Sequence, residues 1–126
     1  MILDSNITIY SVKPEYIELA RYLQFNQDIV QVPFISTLEV LGFSRLSPKD
    51  KEIFEDYLGS VRIYPITEVI IAESIRLRQQ RKRSLGDSII AATALLYNLP
   101  VLTNNVSDFS DIAGLQVIAL ADILNV

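Results

Sequence analysis

The stretch GDSIIAATALLYNLPVLT, residues Gly86–Thr103, indicates the fold most directly. Small and aliphatic residues dominate Gly86–Tyr97, which is typical of a helix that is buried on most of its surface. Asn98 breaks that pattern, and the short apolar run Pro100–Thr103 favours a buried strand. The stretch therefore predicts a buried helix that leads into a strand of a parallel sheet.

The same alternation of short apolar strands and helices continues on both sides of this stretch. Strands are predicted at Met1–Asp4, Ile29–Val32, Val61–Ile66, Pro100–Thr103 and Gln116–Leu120. Helices are predicted at Pro14–Phe25, Ile35–Leu46, Pro48–Leu58 (closed by Gly59), Glu68–Lys82, Gly86–Tyr97 and Ala121–Leu124. Because strands and helices alternate, we expect an α/β fold whose parallel sheet is covered on both faces. No linker or internal repeat divides the sequence, so residues 1–126 are expected to form a single domain.

The composition narrows the chemistry that this chain can perform. Half of its residues are hydrophobic and 21% are charged, as in globular domains. The sequence contains neither cysteine nor histidine, which excludes disulfides, thiolate zinc sites, Ser-His-Asp triads and ribonuclease sites built on histidine. Acid–base chemistry would therefore fall to Asp, Glu, Lys, Tyr or metal-bound water. The net charge of −4 is unlike that of a general nucleic-acid coating protein, but it leaves room for a local basic patch.

The sequence carries no signal for export or membrane insertion. No basic segment precedes the first apolar residues, and Asp4 interrupts them early, unlike in a signal peptide. The longest run without charge, Ser88–Ser107, contains asparagines and a proline that a membrane helix would resist. We therefore expect a cytoplasmic protein without a membrane span, which the absence of cysteine also fits.

Three carboxylates stand out from the solvated charged positions. Asp4 ends the first strand with no basic neighbour before Lys13, which either a turn or a metal ion would explain. Glu39 lies in the apolar segment FISTLEVLGF, where it either needs a partner or belongs to a polar stripe with Ser36. Asp87 completes the S-x-x-D pattern of a capping box, and it would also lie at the carboxyl edge of the sheet. Each of these signals is weak alone.

A fourth polar group follows the strand Pro100–Thr103, in the segment TNNVSDF. Asn105 suits a turn after a strand, and Asp108 suits the start of the next turn. Both side chains also offer oxygen ligands, which Mg²⁺ and Mn²⁺ prefer. Because functional groups collect at the carboxyl ends of parallel strands, we expect this segment near Asp4.

The order of these motifs resembles the PIN-domain family, specifically the VapC-type toxins of bacterial and archaeal toxin–antitoxin pairs. The family opens with a strand and D-T-N, where this chain has DSN at Asp4–Asn6. It carries a glutamate in an apolar helix, matched by Glu39, and a D-x-x-I-A-A-x-A segment, matched from Asp87 onward. Its T-x-N-x-x-D-F segment is matched at Thr103–Phe109. The resemblance covers essentially the whole chain, and Ser5 in place of threonine is a mild departure that keeps the hydroxyl.

The resemblance implies a PIN-like three-layer α/β/α domain with a short, mostly parallel central sheet. It implies an endoribonuclease that uses Mg²⁺, or Mn²⁺, to activate water for the hydrolysis of RNA phosphodiester bonds. Ser5 and Asn6 would orient Asp4. The implied catalytic and metal-binding residues are Asp4, Glu39, Asp87 and Asp108, together with Asn105, and either of the last two would complete the metal site. The residues implied to contact or orient the substrate are Asn6, Thr103, Asn105, Arg81 and Arg83.

The resemblance also implies macromolecular partners. A VapC-type toxin is expected to pair with a VapB-like antitoxin and to form a homodimer. The basic segment RLRQQRKR, residues 76–83, lies just before Asp87 and has three interpretations. It suits a helix C-terminus on a solvated face, a rim that holds RNA phosphates, or a contact for the antitoxin.

Two other functions fit the same fold class. A PIN fold without catalysis would serve as a protein- or RNA-binding module, although such a module has no need for the full set of carboxylates. A phospho-acceptor receiver or an aspartate-nucleophile phosphatase would also place an aspartate after the first strand. The motif DSN at Asp4–Asn6 lacks the second aspartate of the phosphatase pattern, and no aspartate follows VRIYPI as a receiver would require. The leading prediction is therefore the toxin endoribonuclease.

Overall fold

The computed structural model describes residues 1–124, and a sheet of five parallel strands lies at its centre. The strands are β1 (Ile2–Leu3), β2 (Gln31–Pro33), β3 (Arg62–Tyr64), β4 (Val101–Thr103) and β5 (Val117–Ala119). The helices are α1 (Ser5–Tyr10), α2 (Ile17–Phe25), α3 (Phe34–Leu41), α4 (Pro48–Ser60), α5 (Glu68–Gln80), α6 (Leu85–Tyr97) and α7 (Leu120–Leu124). Short 3₁₀ turns lie at Pro14–Tyr16, Gln27–Ile29 and Val106–Asp108. The predicted α/β fold is confirmed, whereas the assignment of residues 1–126 to one domain stays a prediction.

The strand order creates a crevice at the carboxyl ends of β1 and β4, which are neighbours in the sheet. The strands lie in the order β3-β2-β1-β4-β5, and every neighbouring pair is parallel. The chain adds β2 and β3 on one side of β1, and then adds β4 and β5 on the other side. The connections that leave β1 and β4 therefore diverge, and ligands of open α/β sheets bind at such points. Asp4 follows β1 and Thr103 ends β4, so the fold puts both residues at this crevice.

Helices cover both faces of the sheet and form two cores. Adjacent residues of a strand point to opposite faces, so Ile2 packs in the core that includes α5 and α6. Leu3 packs in the other core, which includes α1, α2 and α7. Both residues are fully buried, which gives the predicted three-layer arrangement. No helix within residues 1–124 combines the length and the hydrophobicity that crossing a membrane requires.

Helix α6 is the buried helix that the sequence predicts, since eight of its thirteen residues are buried. Asn98 ends the helix in the left-handed conformation with a φ of 53°, which is common after the last turn of a helix. The hydroxyl of Ser74, on α5, lies 3.3 Å from the carbonyl oxygen of Ser88. This contact fixes the first turn of α6, and with it Asp87, against the neighbouring helix.

Helix α1 has no counterpart among the elements predicted from the sequence, which place the first helix at Pro14–Phe25. Its sequence, SNITIY, is rich in β-branched residues, which have weak helix propensity. Ile7 and Thr8 are nevertheless buried, so packing against the core overrides that propensity. The predicted helix Pro14–Phe25 begins as a 3₁₀ turn and continues as α2.

Three predicted helix ends are wrong, and two of the errors involve a glycine. Helix α5 ends at Gln80, two residues before the predicted Lys82. Helix α3 does not reach Leu46, because Gly42 ends it and donates its N–H to the Leu38 carbonyl at 2.8 Å. Gly59 does not close helix α4, which continues to Ser60. The helix tolerates this glycine at a cost of about 1 kcal/mol relative to alanine. The strands are all shorter than predicted by one or more residues.

Candidate active site

Asp4 is a buried carboxylate in the crevice between β1 and β4. Its side chain accepts a hydrogen bond of 2.8 Å from the Thr103 hydroxyl, and the residue is only 5% exposed. Burial raises the pKa of Asp4 to about 6, the Thr103 hydrogen bond opposes this rise, and the charges of Asp87 and Glu39 add to it. Within residues 1–124 no lysine or arginine forms a salt bridge with Asp4. The fold therefore buries a carboxylate without a positive partner, which is costly unless a cation binds.

Glu39 reaches the same region from α3. Its carboxylate accepts a hydrogen bond of 2.7 Å from the Ser5 hydroxyl, whose oxygen also lies 2.9 Å from the Ser36 hydroxyl. The carboxylate lies against Gly86, since a Cβ atom built on Gly86 would be 2.5 Å from Glu39 Oε2. Glu39 itself is exposed but Ser36 is fully buried, so the two do not form a solvent-exposed stripe, and Glu39 has a hydrogen-bond partner in Ser5. The missing side chain at Gly86 lets the Glu39 carboxylate approach the start of α6.

Asp87 takes part in the N-terminal cap of α6, and its carboxylate also lies beside the other acids. It is the third residue of α6, and its backbone N–H donates to the hydroxyl of the N-cap residue Ser84 at 3.0 Å. Burial raises the pKa of Asp87, a hydrogen bond with the Ser84 side chain opposes the rise, and the charges of Asp108 and Glu39 add to it. The capping interpretation is confirmed, and it also fixes the carboxylate of Asp87 beside the other acids.

Asp108 approaches Asp87 from the turn after β4. Asp87 and Asp108 line a cleft of about 400 Å³ together with the basic residues Arg81, Lys82 and Arg83. Asn105 lies just before this turn, is exposed, and donates its backbone N–H to the Thr103 hydroxyl at 2.9 Å. The turn therefore positions two candidate oxygen ligands, and both remain candidates for completing a metal site.

The structure changes how the predicted orienting residues act on Asp4. The hydroxyl of Ser5 contacts Glu39, but the Ser5 backbone N–H hydrogen-bonds with the Asp4 carboxylate and lowers its pKa, whereas within residues 1–124 the side chain of Asn6 makes no hydrogen bond to Asp4. Thr103 also orients Asp4, and this threonine is fully buried, so it does not offer the direct substrate contact that the sequence predicted. The role of Thr103 follows from the pairing of β1 with β4. This pairing brings Asp4 and Thr103 together although they lie 99 residues apart in the sequence.

Arg83 also differs from its predicted role as a substrate contact. Its side chain is only 2% exposed, and both terminal nitrogens bind the carboxylate of Asp111, at 3.2 and 2.7 Å. A guanidinium engaged in this way is not free to hold RNA phosphates. Arg81 is half-exposed and lies 3.5 Å from the same carboxylate, so it keeps a surface open to solvent. Asp111 was not predicted, since no local motif links it to arginines about thirty residues earlier.

The donor chemistry of this region fits a hard divalent cation. Its candidate ligands are carboxylate and amide oxygens, and two of the carboxylates, Asp4 and Asp87, have pKa values raised by burial and by neighbouring negative charge. In the described part of the chain, no three carboxylates lie close enough to one another to hold an ion together. Like charges repel where no cation neutralises them, and Mg²⁺ commonly uses one or two carboxylates and keeps several waters. An ion bound here would therefore have to take part of its coordination from water.

Comparison with known proteins gives consistent matches. The chain matches the PIN domain family over residues 1–115. Ribonuclease VapC10 of Mycobacterium tuberculosis is 35% identical over 83 residues, which are 62% of this chain, and the chain spans 61% of that relative's length. Ribonuclease VapC of Rickettsia bellii is 27% identical over 130 residues, covering 95% of this chain and 96% of the relative. A chain of a toxin–antitoxin complex from Klebsiella pneumoniae has a TM-score of 0.78 and 29% identity, with 94% and 95% coverage.

Proposed function

The chain belongs to the PIN-domain family, and from this premise we propose that it is a metal-dependent endoribonuclease, the toxin of a toxin–antitoxin pair. The observation that carries the proposal is the buried carboxylate of Asp4, which has no positive partner within residues 1–124 and interacts electrostatically with Asp87 and Glu39. A module that only binds other molecules gains nothing from this costly arrangement. The matched relatives named VapC ribonucleases support the same activity.

We assign the residues of the site to distinct tasks. Asp4, Glu39 and Asp87 bind Mg²⁺ or Mn²⁺, directly or through water, and Asp108 or Asn105 completes the site. The bound ion would supply a water activated at neutral pH and would neutralise charge at the scissile phosphate. Within the protein, the Thr103 hydroxyl holds the carboxylate of Asp4, and the Ser5 hydroxyl holds that of Glu39. The Thr103 hydrogen bond lowers the pKa of Asp4 and so favours its ionised form, which is the form that binds metal.

The substrate contacts come from the exposed basic residues beside the acids. Arg81 and Lys82 line the cleft that Asp87 and Asp108 share. The 3.5 Å contact of Arg81 with Asp111 is long and half-exposed, so a phosphate can replace it at little cost. Arg81 and Lys82 therefore hold RNA phosphates next to the metal site, and they replace Arg83 in that role.

A VapB-like antitoxin is the proposed protein partner, as the likeness to a chain of a toxin–antitoxin complex supports. We also propose that the protein forms a homodimer and acts in the cytoplasm. Large apolar side chains lie open to solvent, including Phe25 at 89%, Leu38 at 68% and Val69 at 60% exposure. Surfaces of this kind suit contacts with a partner or with a second copy of the chain.

One observation favours a second candidate function, a PIN-fold module that binds RNA or protein without cleavage. Among residues 1–124 the carboxylates are not grouped closely enough to hold an ion by themselves. A module that had lost metal binding would keep the cleft and its basic residues but would cleave nothing.

Mapping of new RNA 5′-phosphate ends in cells separates the two functions. We would express the wild-type chain without antitoxin and compare it with Asp87→Asn and with Asp56→Asn, which changes an exposed carboxylate of α4. We expect new ends with the wild type and with Asp56→Asn, and none with Asp87→Asn. Absence of new ends from folded wild-type protein would refute the nuclease and leave the binding module.

A further inference from the structure

We propose that Arg83 is a positioning residue. Through Asp111 it holds the turn that carries Asp108 against the start of α6, and it thereby sets the metal affinity of the site. This inference rests on the function proposed above, and it assigns a task to a buried ion pair that the cleavage chemistry leaves unexplained.

Arg83 connects three separate segments of the chain. Its Nε donates to the carbonyl oxygen of Leu77, in the last turn of α5, at 2.9 Å. Its terminal nitrogens bind both carboxylate oxygens of Asp111, at 3.2 and 2.7 Å. One of them also lies 3.5 Å from the carbonyl oxygen of Asp108. Arg83 therefore joins α5 and the entry to α6 to the turn that follows β4.

The connection lies directly between two proposed metal ligands. Arg83 precedes the N-cap of α6 by one residue, and Asp87 is the third residue of that helix. On the other side, Arg83 contacts the carbonyl of Asp108 and the carboxylate of Asp111. The position of this segment decides how far the Asp108 carboxylate lies from that of Asp87. A shift of this turn would change the separation of the two carboxylates that line the cleft.

The pair is chemically suited to a fixed position. A bidentate arginine–carboxylate pair restricts both distance and orientation, and lysine cannot reproduce its geometry. Removal of one partner leaves the other charge in a place where it has no compensation, because the Arg83 side chain is only 2% exposed. The Arg83 guanidinium also holds the pKa of Asp111 below its usual range, which favours the charged form of this carboxylate.

The test compares metal affinity and local opening, measured in variants of the purified chain. Asp111→Asn is the principal variant, because the residue is partly exposed and asparagine keeps its size. Arg83→Lys is the second variant; it keeps the positive charge but cannot bind both carboxylate oxygens of Asp111 at once. Calorimetric titration with Mn²⁺ gives the Kd, and amide hydrogen exchange at Asp108 and Ser110 reports the turn, whose N–H groups bond to Asn105 and Val106.

Two controls separate positioning from a general loss of stability. Arg76→Gln removes the exposed ion pair between Arg76 and Glu73 on α5, which lies outside the cleft. Leu19→Ala removes a fully buried side chain from the core on the other face of the sheet. This second variant should lose stability while its Mn²⁺ affinity stays unchanged below the melting temperature.

We expect Asp111→Asn to bind Mn²⁺ about 10- to 100-fold more weakly than wild type, as changes beside metal ligands typically do. Exchange at Asp108 and Ser110 should become faster, and Arg83→Lys should be intermediate. Equal Mn²⁺ affinity of Asp111→Asn and wild type would overturn the inference and leave the proposed function intact. An equal loss in Leu19→Ala would overturn it as well. Failure of the wild type itself to bind Mn²⁺ would instead refute the metal site, and this inference would fall with it.

Discussion

At the scale of single residues, the ionised carboxylate of Asp4 lowers the stability of the fold while it offers a candidate metal ligand. Its burial raises the pKa from 3.8 to about 6 in the folded protein, so the ionised carboxylate destabilises the metal-free fold at neutral pH. Above pH 6 both the folded and the unfolded chain are ionised at this residue, and the full penalty applies. Below about pH 3.8 both are protonated, and the penalty disappears. A bound cation would offset this penalty.

Asp4→Asn is therefore expected to stabilise the metal-free protein. At pH 7.5 the free energy of unfolding should rise by about 1–3 kcal/mol, and this gain should shrink as the pH falls from 6 towards 4. Urea unfolding in a chelator, compared with saturating Mn²⁺, measures both effects. Mn²⁺ should stabilise the wild type and leave the variant unchanged. A gain that is constant from pH 5 to 8 would contradict the assignment to Asp4.

Gly86 serves Glu39 and not the backbone of α6. A Cβ atom there would meet Glu39 Oε2 at 2.5 Å, and a carboxylate at the end of a side chain can move away. We expect Gly86→Ala to keep the stability of the fold within about 1 kcal/mol, since alanine is the better helix former. The displaced Glu39 should weaken Mn²⁺ binding and RNA cleavage. Gly59→Ala in α4, with no atom within 4 Å of its Cβ, is the matched control and should affect neither function.

Among the described residues, Thr8 has the one buried side-chain polar atom that makes no hydrogen bond. Its hydroxyl is buried and has no hydrogen-bond partner, whereas the equally buried hydroxyl of Thr93 donates to the Ile89 carbonyl at 2.7 Å. Both threonines lie in helices, so Thr→Val makes the same chemical change at each. Thr8→Val should stabilise the protein by about 0.5–1 kcal/mol, and Thr93→Val should destabilise it by about 1 kcal/mol. Changes of the same sign in thermal unfolding would contradict this account.

At the scale of elements, helix caps were readable from the sequence because they depend on local spacing. Ser84 caps α6, as the S-x-x-D pattern that Asp87 completes predicts. Thr103 and Arg83 were misjudged for the opposite reason. Their partners, Asp4 and Asp111, become neighbours only through strand pairing and loop packing, over separations of 99 and 28 residues. A single sequence carries no local signal for such contacts.

The cap of α6 supports both the helix and the acidic site, so its loss should have two effects. Ser84→Ala removes the bond from the Asp87 N–H and should cost about 1 kcal/mol of stability. It also removes the hydrogen bond that lowers the pKa of Asp87, so metal binding should need a higher pH. Ser47→Ala removes the equivalent cap of α4, a bond of 3.1 Å from the Asp50 N–H. Equal effects of both variants on the pH dependence of Mn²⁺ binding would refute a special role for Ser84.

At the scale of the whole molecule, the sequence predicted the α/β class, and it also predicted that acidic residues follow the first strand and the strand Pro100–Thr103. Hydrophobic patterns identify buried segments, but they do not say which strands are neighbours. The order β3-β2-β1-β4-β5 therefore had to come from the structure, and it puts Asp4 next to Thr103. The bulk charge of −4 was equally uninformative about RNA, because three of the eleven basic residues, Arg81, Lys82 and Arg83, line the same cleft as Asp87 and Asp108.

Local charge and not net charge should therefore govern RNA binding. Arg81→Gln and Arg62→Gln each lower the net charge by one, but Arg62 begins β3 at the amino edge of the sheet, opposite the cleft. In an Asp4→Asn background that does not cleave, we would measure the Kd for single-stranded RNA across a series of salt concentrations. Each phosphate contact contributes about −0.7 to the slope of log K against log salt. Arg81→Gln should weaken binding and reduce the slope by about that amount, whereas Arg62→Gln should leave both unchanged. If the two variants weaken binding equally, RNA responds to the net charge of the protein, and the cleft lined by Arg81 and Lys82 is not its binding site.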